Sequence, residues 1–230
     1  MKQLLLDISP PCLPTLENFV PGRNLELFET LKNILLGGHK QERFIYLWGV
    51  NGCGKSHLLQ AVVESFMQNK LNADYINCGI TQNFKMDFSV VDKINCLTID
   101  NVDRLNASTQ IDLFNLYNHI RDECQSLMLV SGSVAPSQLK LREDLVTRLG
   151  WGLIYQVHEL SDDEKIQAMK KHAKRKGFEL TQDVCNYLLR HVKRDLPSLI
   201  VTLDALDLHS LREKRPITIP MLRELLLPAS

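Results

Sequence analysis

Gly49-Val50-Asn51-Gly52-Cys53-Gly54-Lys55-Ser56 follows directly on the apolar run Phe44-Ile45-Tyr46-Leu47-Trp48. A strand feeding a loop with three glycines lets backbone N–H groups turn inward toward phosphate oxygens, while Lys55 adds a cation and the Ser56 hydroxyl can ligate Mg²⁺. Ser56 to Gln68 is apolar at Leu58, Leu59, Val62, Val63 and Phe66. That spacing predicts a helix starting at the loop, with the positive end of its dipole aimed at the phosphates. Strand, loop and helix together read as a phosphate-binding loop for a nucleoside phosphate, with Gly49, Asn51, Gly52, Cys53, Gly54, Lys55, Ser56 and His57 as its contact set.

The rest of the composition narrows the function classes. The chain has 230 residues, 44% of them hydrophobic, which suffices for one large domain or a medium domain with a small companion. Lys plus Arg (27) balance Asp plus Glu (27), so no basic excess supports non-specific binding to DNA, and direct sequence-specific DNA contact is not expected. The six cysteines, Cys12, Cys53, Cys78, Cys96, Cys124 and Cys185, form no CxxC pair and read as reduced intracellular thiols. The seven histidines show no tight ligand spacing, so no metal other than nucleotide-bound Mg²⁺ is expected. The N-terminal apolar run is broken by Asp7 and followed by prolines, too short for a signal peptide or membrane span. A cytoplasmic protein is expected.

Beyond the first strand and helix, Ala73–Asn77 reads as a second strand, Cys96–Ile99 as a third ending at Asp100, Ser126–Val130 as a fourth and Leu153–Val157 as a fifth. Ile111 to Asp122 is spaced for an amphipathic helix. Alternating strands and helices predict a parallel sheet covered on both faces. From Ser161 the pattern is helical only. It opens with Ser161-Asp162-Asp163-Glu164, a capping-box signature, and helices are expected to begin again at Thr181, at Asp195 with Pro197 in the first turn, and at Met221 after Pro216-Ile217-Thr218-Ile219-Pro220. The expected organisation is an N-terminal tail (1–12), an α/β nucleotide-binding base domain (13–160) and a small all-α lid (161–230).

Hydrolysis of a nucleotide needs an acid that holds Mg²⁺ at a strand end, with a second acid beside it to orient the attacking water. Asp100 fits the first role, but Asn101 stands in the second. An amide can hydrogen-bond the water and cannot take its proton, so turnover by this chain alone should be slow or absent. Asp103 could partly substitute if the chain turns there; otherwise it is a solvated loop aspartate. Arg148, just before Gly150-Trp151-Gly152, could cap its helix, face solvent, or stabilise transition-state charge in trans. Arg194 could reach a phosphate from the lid or be a surface charge, and Ser133, past the fourth strand, could sense a terminal phosphate.

The phosphate loop, Asp100-Asn101, Leu149-Gly150-Trp151-Gly152 and the segment around Arg194, in this order, resemble the AAA+ module of the DnaA/Hda family of bacterial replication proteins. More narrowly, the chain is similar to the Hda-type regulatory inactivators of DnaA. Phe114-Asn115-Leu116-Tyr117-Asn118, Leu160 to Lys165, Lys176 to Leu180, Leu203 to Asp207 and Ile217-Thr218-Ile219-Pro220 extend the similarity over nearly the whole chain. The resemblance implies an AAA+ P-loop NTPase fold with a helical lid, ADP or ATP with Mg²⁺ held by Ser56 and Asp100, and an adaptor that joins DnaA–ATP to the DNA-loaded sliding clamp, the beta subunit of DNA polymerase III. By it, Arg148 matches the arginine finger acting in trans, Arg194 the lid sensor and Ser133 the strand-end sensor. Gln3-Leu4-Leu5-Leu6-Asp7-Ile8 is similar to the clamp-binding hexapeptide, with Gln3, Leu4, Leu6 and Ile8 as its contacts. Pro10, Pro11 and Pro14 set it off as a spacer would.

Two departures stand out. The phosphate loop of Hda-type members is often degenerate and here is intact, and Ser133 is shorter than the acidic or amide residue usual at its place. DnaA carries a DNA-binding domain after its lid, which this chain is not expected to have. The readings that compete are an autonomous AAA+ ATPase such as a helicase loader and a binding module that tethers a partner to the clamp; a homo-oligomer is compatible with each, and a membrane partner with none.

Overall fold

The computed structural model describes residues 13–37, 42–80 and 87–226. The proposed clamp motif at Gln3, Leu4, Leu6 and Ile8 lies outside the described residues. Contacts divide the chain at Glu159 and Leu160 into two compact units.

The first unit is built on a five-stranded sheet of β1 (Phe44–Trp48), β2 (Ala73–Asn77), β3 (Cys96–Asp100), β4 (Leu127–Gly132) and β5 (Leu153–Gln156). The order is β2-β3-β4-β1-β5 and every pairing is parallel. Parallel neighbours cannot be joined by hairpins, so each connection crosses a face of the sheet and covers it. The crossovers carry α2 (Lys55–Gln68), α3 (Phe88–Val91), α4 (Ala107–Glu123) and α5 (Glu143–Leu149), and α1 (Leu25–Leu35) precedes β1.

Alternation along the central strands sorts the core into two layers. Leu127 and Leu129 of β4, with Ile45 and Leu47 of β1, pack with Leu27, Leu31, Leu58 and Val62 from α1 and α2. Met128 and Val130, with Tyr46, Leu97 and Ile99, pack with Leu113, Leu116 and Ile120 of α4 and with Leu145 and Leu149 of α5. A period of two on the strands meets a period near 3.6 on the helices, which is why both sheet faces are dry.

The five strands lie where the apolar runs predicted them, with β4 extended to Gly132 and β5 ending one residue early at Gln156. The structure moves several helix ends. α4 starts at Ala107, four residues before its periodic stretch, because the Asn106 side chain accepts from the backbone N–H groups of Ser108 and Thr109. Its other end is closed by Arg43, whose guanidinium donates to the carbonyls of Ile120, Arg121 and Cys124. A buried amide, Asn24, clips the chain after β5: it accepts from His158 N–H at 2.7 Å and donates to the carbonyls of His158 and Pro21 at 3.0 Å each.

The second unit contains α6 (Asp162–Lys176), α7 (Gln182–His191), α8 (Leu196–Glu213) and α9 (Ile219–Leu226) around Met169, Cys185, Leu188, Leu199, Leu203 and Met221. The capping box forms as predicted, with Ser161 and Glu164 exchanging hydrogen bonds. Thr181 and Asp195 cap α7 and α8 through Val184 N–H and Ser198 N–H. α9 starts at Ile219 rather than Met221, which places Pro220 in its first turn, where no intrahelical donor is lost. His172 and Lys176 of α6 both meet the Asp204 carboxylate of α8, at 2.7 and 3.0 Å.

Gly152, just before β5, lies so close to β1 that an added Cβ would stand 2.0 Å from the Phe44 carbonyl oxygen, whereas at Gly150 the nearest such contact is an ordinary 3.4 Å. Gly152→Ala must push β5 away from β1 and should cost about 1–3 kcal/mol. Gly150→Ala, at φ −83°, should stay within about 1 kcal/mol of wild type in either direction. Urea unfolding of the two variants measures the contrast, and equal stabilities would remove the steric account of the Gly-Trp-Gly segment.

Candidate nucleotide site and arginine cluster

The loop leaves the carboxyl end of β1, an inner strand, and its backbone is dictated at the first glycine. Gly49 has φ +155°, and a Cβ there would lie 2.4 Å from the Val157 carbonyl oxygen. Val50, Asn51 and Gly52 are exposed at the loop tip, and Gly54 takes a left-handed conformation as the N-cap of α2. Gly54 offers no side chain to the first turn of α2. Those amides therefore point outward without a side-chain cap at the positive end of the helix, the arrangement that suits an anion.

Lys55 is buried in the loop, with its ammonium donating to the carbonyls of Gly49 at 2.7 Å and Val50 at 3.1 Å. The Cys53 thiol lies 3.8 Å from that ammonium, yet burial outweighs the cation and pushes the thiol above its ordinary value, so it stays protonated. His57 is the loop's tie to the segment before α1: its Nε2 is 3.0 Å from the Thr15 carbonyl and its ring rests 5.6 Å from Phe19.

Asp100, at the end of β3, is fully buried. Its Oδ2 accepts from Ser56 at 2.6 Å and from the Tyr75 hydroxyl at 2.7 Å, and its Oδ1 accepts from Ser131. Burial and the adjacent carboxylate push Tyr75 up to about 12, which keeps it a donor. Sequence reasoning picked out Asp100 and Ser56 and missed Tyr75 and Ser131. The pairing Ile99 with Val130 carries Asp100 alongside Ser131, and Asn77 with Asp100 brings Tyr75 two residues away, a juxtaposition that appears only once strand order is known.

Asn101 turns the chain sharply, with φ +60° and ψ +49°. Its N–H donates to Ser131 Oγ at 3.1 Å and its amide donates to Asn77 Oδ1 at 3.2 Å. The turn brings Asp103 back toward β4, where its carboxylate accepts from Ser133 N–H at 3.1 Å. Asp103 is thus half-buried and structural, which corrects its reading as a solvated loop aspartate. Ser133 is exposed one residue past β4, engaged here through its backbone.

Arg148 lies in the last turn of α5. Its guanidinium carbon sits 3.9 Å from the Trp151 ring centroid and 5.5 Å from that of Phe114, and its Nε is buried without a hydrogen-bond partner among the described residues. Arg121 also approaches Trp151, at 5.2 Å, but is paired bidentately with Asp122 at 2.7 and 2.9 Å. Arg148 is therefore held by aromatic faces, which leave a guanidinium charge unneutralised, whereas Arg121 is spent on a carboxylate. In the lid, Arg194 donates to the Leu189 carbonyl at 3.3 Å and to Asp162 at 3.1 Å.

An inner strand feeding a glycine loop, a helix N-terminus behind it and a strand-end aspartate define a P-loop fold. Solved structures share this fold. Domain III of the Thermotoga maritima replication initiation protein DnaA matches with a TM-score of 0.71 at 22% identity, over 96% of this chain and 99% of that one. AMPPCP-bound DnaA from Aquifex aeolicus matches with a TM-score of 0.71 at 22% identity, over 90% and 70%. A Thermotoga maritima RuvB mutant matches with a TM-score of 0.67 at 17% identity, over 92% and 71%. Residues 162–226 match the family described as Hda, lid domain. The chain therefore has the fold of DnaA domain III, and residues 162–226 are similar to the lid domain of the Hda family. Among the described residues no helix is long and apolar enough to cross a membrane.

Two outcomes are expected. Ser131→Ala removes a donor from Asp100 and the acceptor of Asn101 N–H, and should cost about 1–3 kcal/mol in urea unfolding, while Ser133→Ala, at an exposed position, should stay within about 0.5 kcal/mol. Burial holds His57 below its ordinary value of 6.5. The unfolded chain then binds the proton more readily than the folded one, so His57 contributes stability above pH 6.5 that is lost as pH falls through that value. The stability difference between wild type and His57→Gln should shrink from pH 8 to pH 5, a range of roughly 1.5 units either side of the ordinary value; a constant difference would show that His57 is not held neutral.

Proposed function

We propose that this protein is a nucleotide-bound regulatory adaptor that joins DnaA–ATP to the DNA-loaded sliding clamp and promotes hydrolysis of the DnaA-bound ATP, limiting re-initiation of replication. The observation that carries the reading is Arg148: a cation fixed by Trp151 and Phe114 with its Nε unpartnered. Such a group loses little on meeting an oxyanion, because no carboxylate bond has to be broken first. The Hda-type lid at residues 162–226 supports DnaA as the partner. Clamp attachment rests on the similarity of Gln3-Leu4-Leu5-Leu6-Asp7-Ile8 to a clamp-binding peptide.

ADP or ATP would be held by the loop amides and Lys55, whose ammonium would exchange loop carbonyls for phosphate oxygens. Mg²⁺ would be held by Ser56 and Asp100, whose oxygens already lie 2.6 Å apart. This chain's own turnover would be slow. Asn101 supplies an amide where a base is needed, and that amide is turned to Asn77. One observation favours the second reading, an autonomous ATPase such as a helicase loader: the phosphate loop, Lys55, Ser56 and Asp100 are all in place.

The test is DnaA–ATP hydrolysis with this protein and DNA-loaded clamp, compared with omission of each. Arg148→Ala should lower the stimulated rate by about 10³-fold or more with folding unchanged; full stimulation by that variant would sink the finger assignment. Lys55→Ala should weaken ADP binding in calorimetry. Fast ATP turnover by the isolated, rigorously purified wild type would favour the autonomous ATPase. Replacing Gln3, Leu4 and Leu6 together with Ala should abolish clamp pull-down and leave nucleotide affinity unchanged, since a tail and a phosphate loop act as separate sites.

A further inference from the structure

At the amino ends of β3 and β4, opposite the phosphate loop, three side chains from separate segments converge. Asp92 is the C-cap of α3, His119 lies in the last two turns of α4, and Cys124 is the C-cap of α4. His119 Nε2 stands 2.6 Å from Asp92 Oδ1, and the Cys124 thiol stands 3.5 Å from the same oxygen. One ligand atom from each residue lies within 4.8 Å of the others. We propose that Asp92, His119 and Cys124 bind a divalent late transition-metal ion of the Zn²⁺ type, with water completing a four-coordinate shell.

The donor set is the one such an ion selects. Thiolate and imidazole are ligands of borderline-soft character, and a carboxylate adds charge; neither Mg²⁺ nor Ca²⁺ prefers the first two. Bond lengths of roughly 2.0–2.3 Å around a tetrahedral ion separate ligand atoms by roughly 3.3–3.8 Å. The sulfur–oxygen distance already matches, and the imidazole–carboxylate distance has to open by less than about 1 Å, well within a rotation of the exposed Asp92 side chain. His119 is pre-oriented, because its ring stacks on Phe88 at 4.4 Å between centroids. The backbone beneath Cys124 is fixed by Arg43, which donates to the Cys124 carbonyl.

The plain alternative is a histidine–aspartate hydrogen bond with a bystander thiol. In that reading one carboxylate oxygen accepts from both the imidazole and the thiol, and it differs from the metal site in binding no ion and keeping the thiol protonated. Metal binding replaces both hydrogen bonds at once. The Cys124 S–H bond breaks, sulfur donates its electron pair to the ion, and that proton leaves to solvent; the proton His119 Nε2 shares with Asp92 passes by way of solvent to Nδ1, freeing the Nε2 lone pair for the ion, and Asp92 binds as the carboxylate. The ion would tie α3 to the end of α4 across the strand entries. A five-residue strand separates this rim from the nucleotide end by about 16 Å, so the site stands independently of the proposed adaptor role. The sequence hides it, since the ligands are 27 and 5 residues apart on different elements.

Titration of the full-length protein with Co²⁺ in the presence of Mg–ADP reads the site directly. Wild type should develop a thiolate-to-cobalt charge-transfer band and tetrahedral d–d bands that saturate at one equivalent, and Zn²⁺ should displace them. Cys124→Ser should remove the charge-transfer band. His119→Ala and Asp92→Asn, at partly exposed positions, should each weaken Co²⁺ binding by at least about tenfold, with ADP affinity unchanged. Absence of the band in wild type, its persistence in Cys124→Ser, or unchanged Co²⁺ affinity in both folded His119→Ala and Asp92→Asn would overturn the proposal. Should Cys124→Ser fail to fold, the other two variants still decide it.

Discussion

The carboxylate of Asp100 is the point at which the base unit is knotted. Removing it from water costs several kcal/mol, and it is met by three hydroxyl donors: Ser56 from α2, Tyr75 from β2 and Ser131 from β4. Hydrogen bonds to a charged acceptor contribute about 1.5–3 kcal/mol each, so three of them offset a burial that one or two would not. The consequence is geometric. A single residue fixes the register of three strands against one another and against the first turn of the helix that follows the phosphate loop. Each donor is held by its own element, so none can be lost without leaving a buried polar group unmatched. Ser131 has a second task in accepting from Asn101 N–H, which sets the left-handed turn after the strand.

Much of this architecture can be read along the chain, because its strongest signals are local. The phosphate loop, the five apolar strand runs, the capping box at Ser161 and Glu164 and the N-caps at Thr181 and Asp195 each sit within a few residues. What could not be read is what depends on strand order. Tyr75 and Ser131 look like ordinary strand residues until β2 and β4 are known to flank β3. Asn24 reads as a loop amide until β5 delivers the His158 backbone to it. α1 was missed although Leu27, Phe28 and Leu31 face the core, and α3 is too short at four residues to show a period. Ser133 was singled out for its place just past a strand, while the serine that touches the acid is Ser131, the previous residue on the same pleat face.

The strand exits carry the candidate nucleotide site, whereas Arg148 lies at the other rim, where α4 and α5 end and β5 begins. The loop, Lys55, Ser56 and Asp100 converge at the strand exits, and the residue after Asp100 supplies an amide whose side chain is occupied by Asn77 and whose backbone is bent away. Asp103, the nearest following carboxylate, is committed to Ser133 N–H. The acids around the site are therefore satisfied within the fold. Arg148 is the converse case, stabilised by two ring faces while its Nε goes unpartnered among the described residues. Cation–π contact contributes about 0.5–2 kcal/mol without neutralising the guanidinium, so it positions the charge while keeping it available to an anion.

A parallel sheet also gives the domain two chemically distinct ends. All strand exits point to one rim, and there the glycine loop, the helix N-terminus and Asp100 accumulate, as expected where ligands bind outside the carboxyl ends of strands. All strand entries lie at the other rim, where α4 ends with its carbonyls exposed and its dipole negative. Arg43 answers that end directly, reaching three of those carbonyls from just before β1. At the same helix end the side chains of His119 and Cys124 both turn toward Asp92. One helix terminus thus carries two separate devices, a guanidinium that satisfies its carbonyls and an imidazole and thiol that share one carboxylate oxygen of α3's cap.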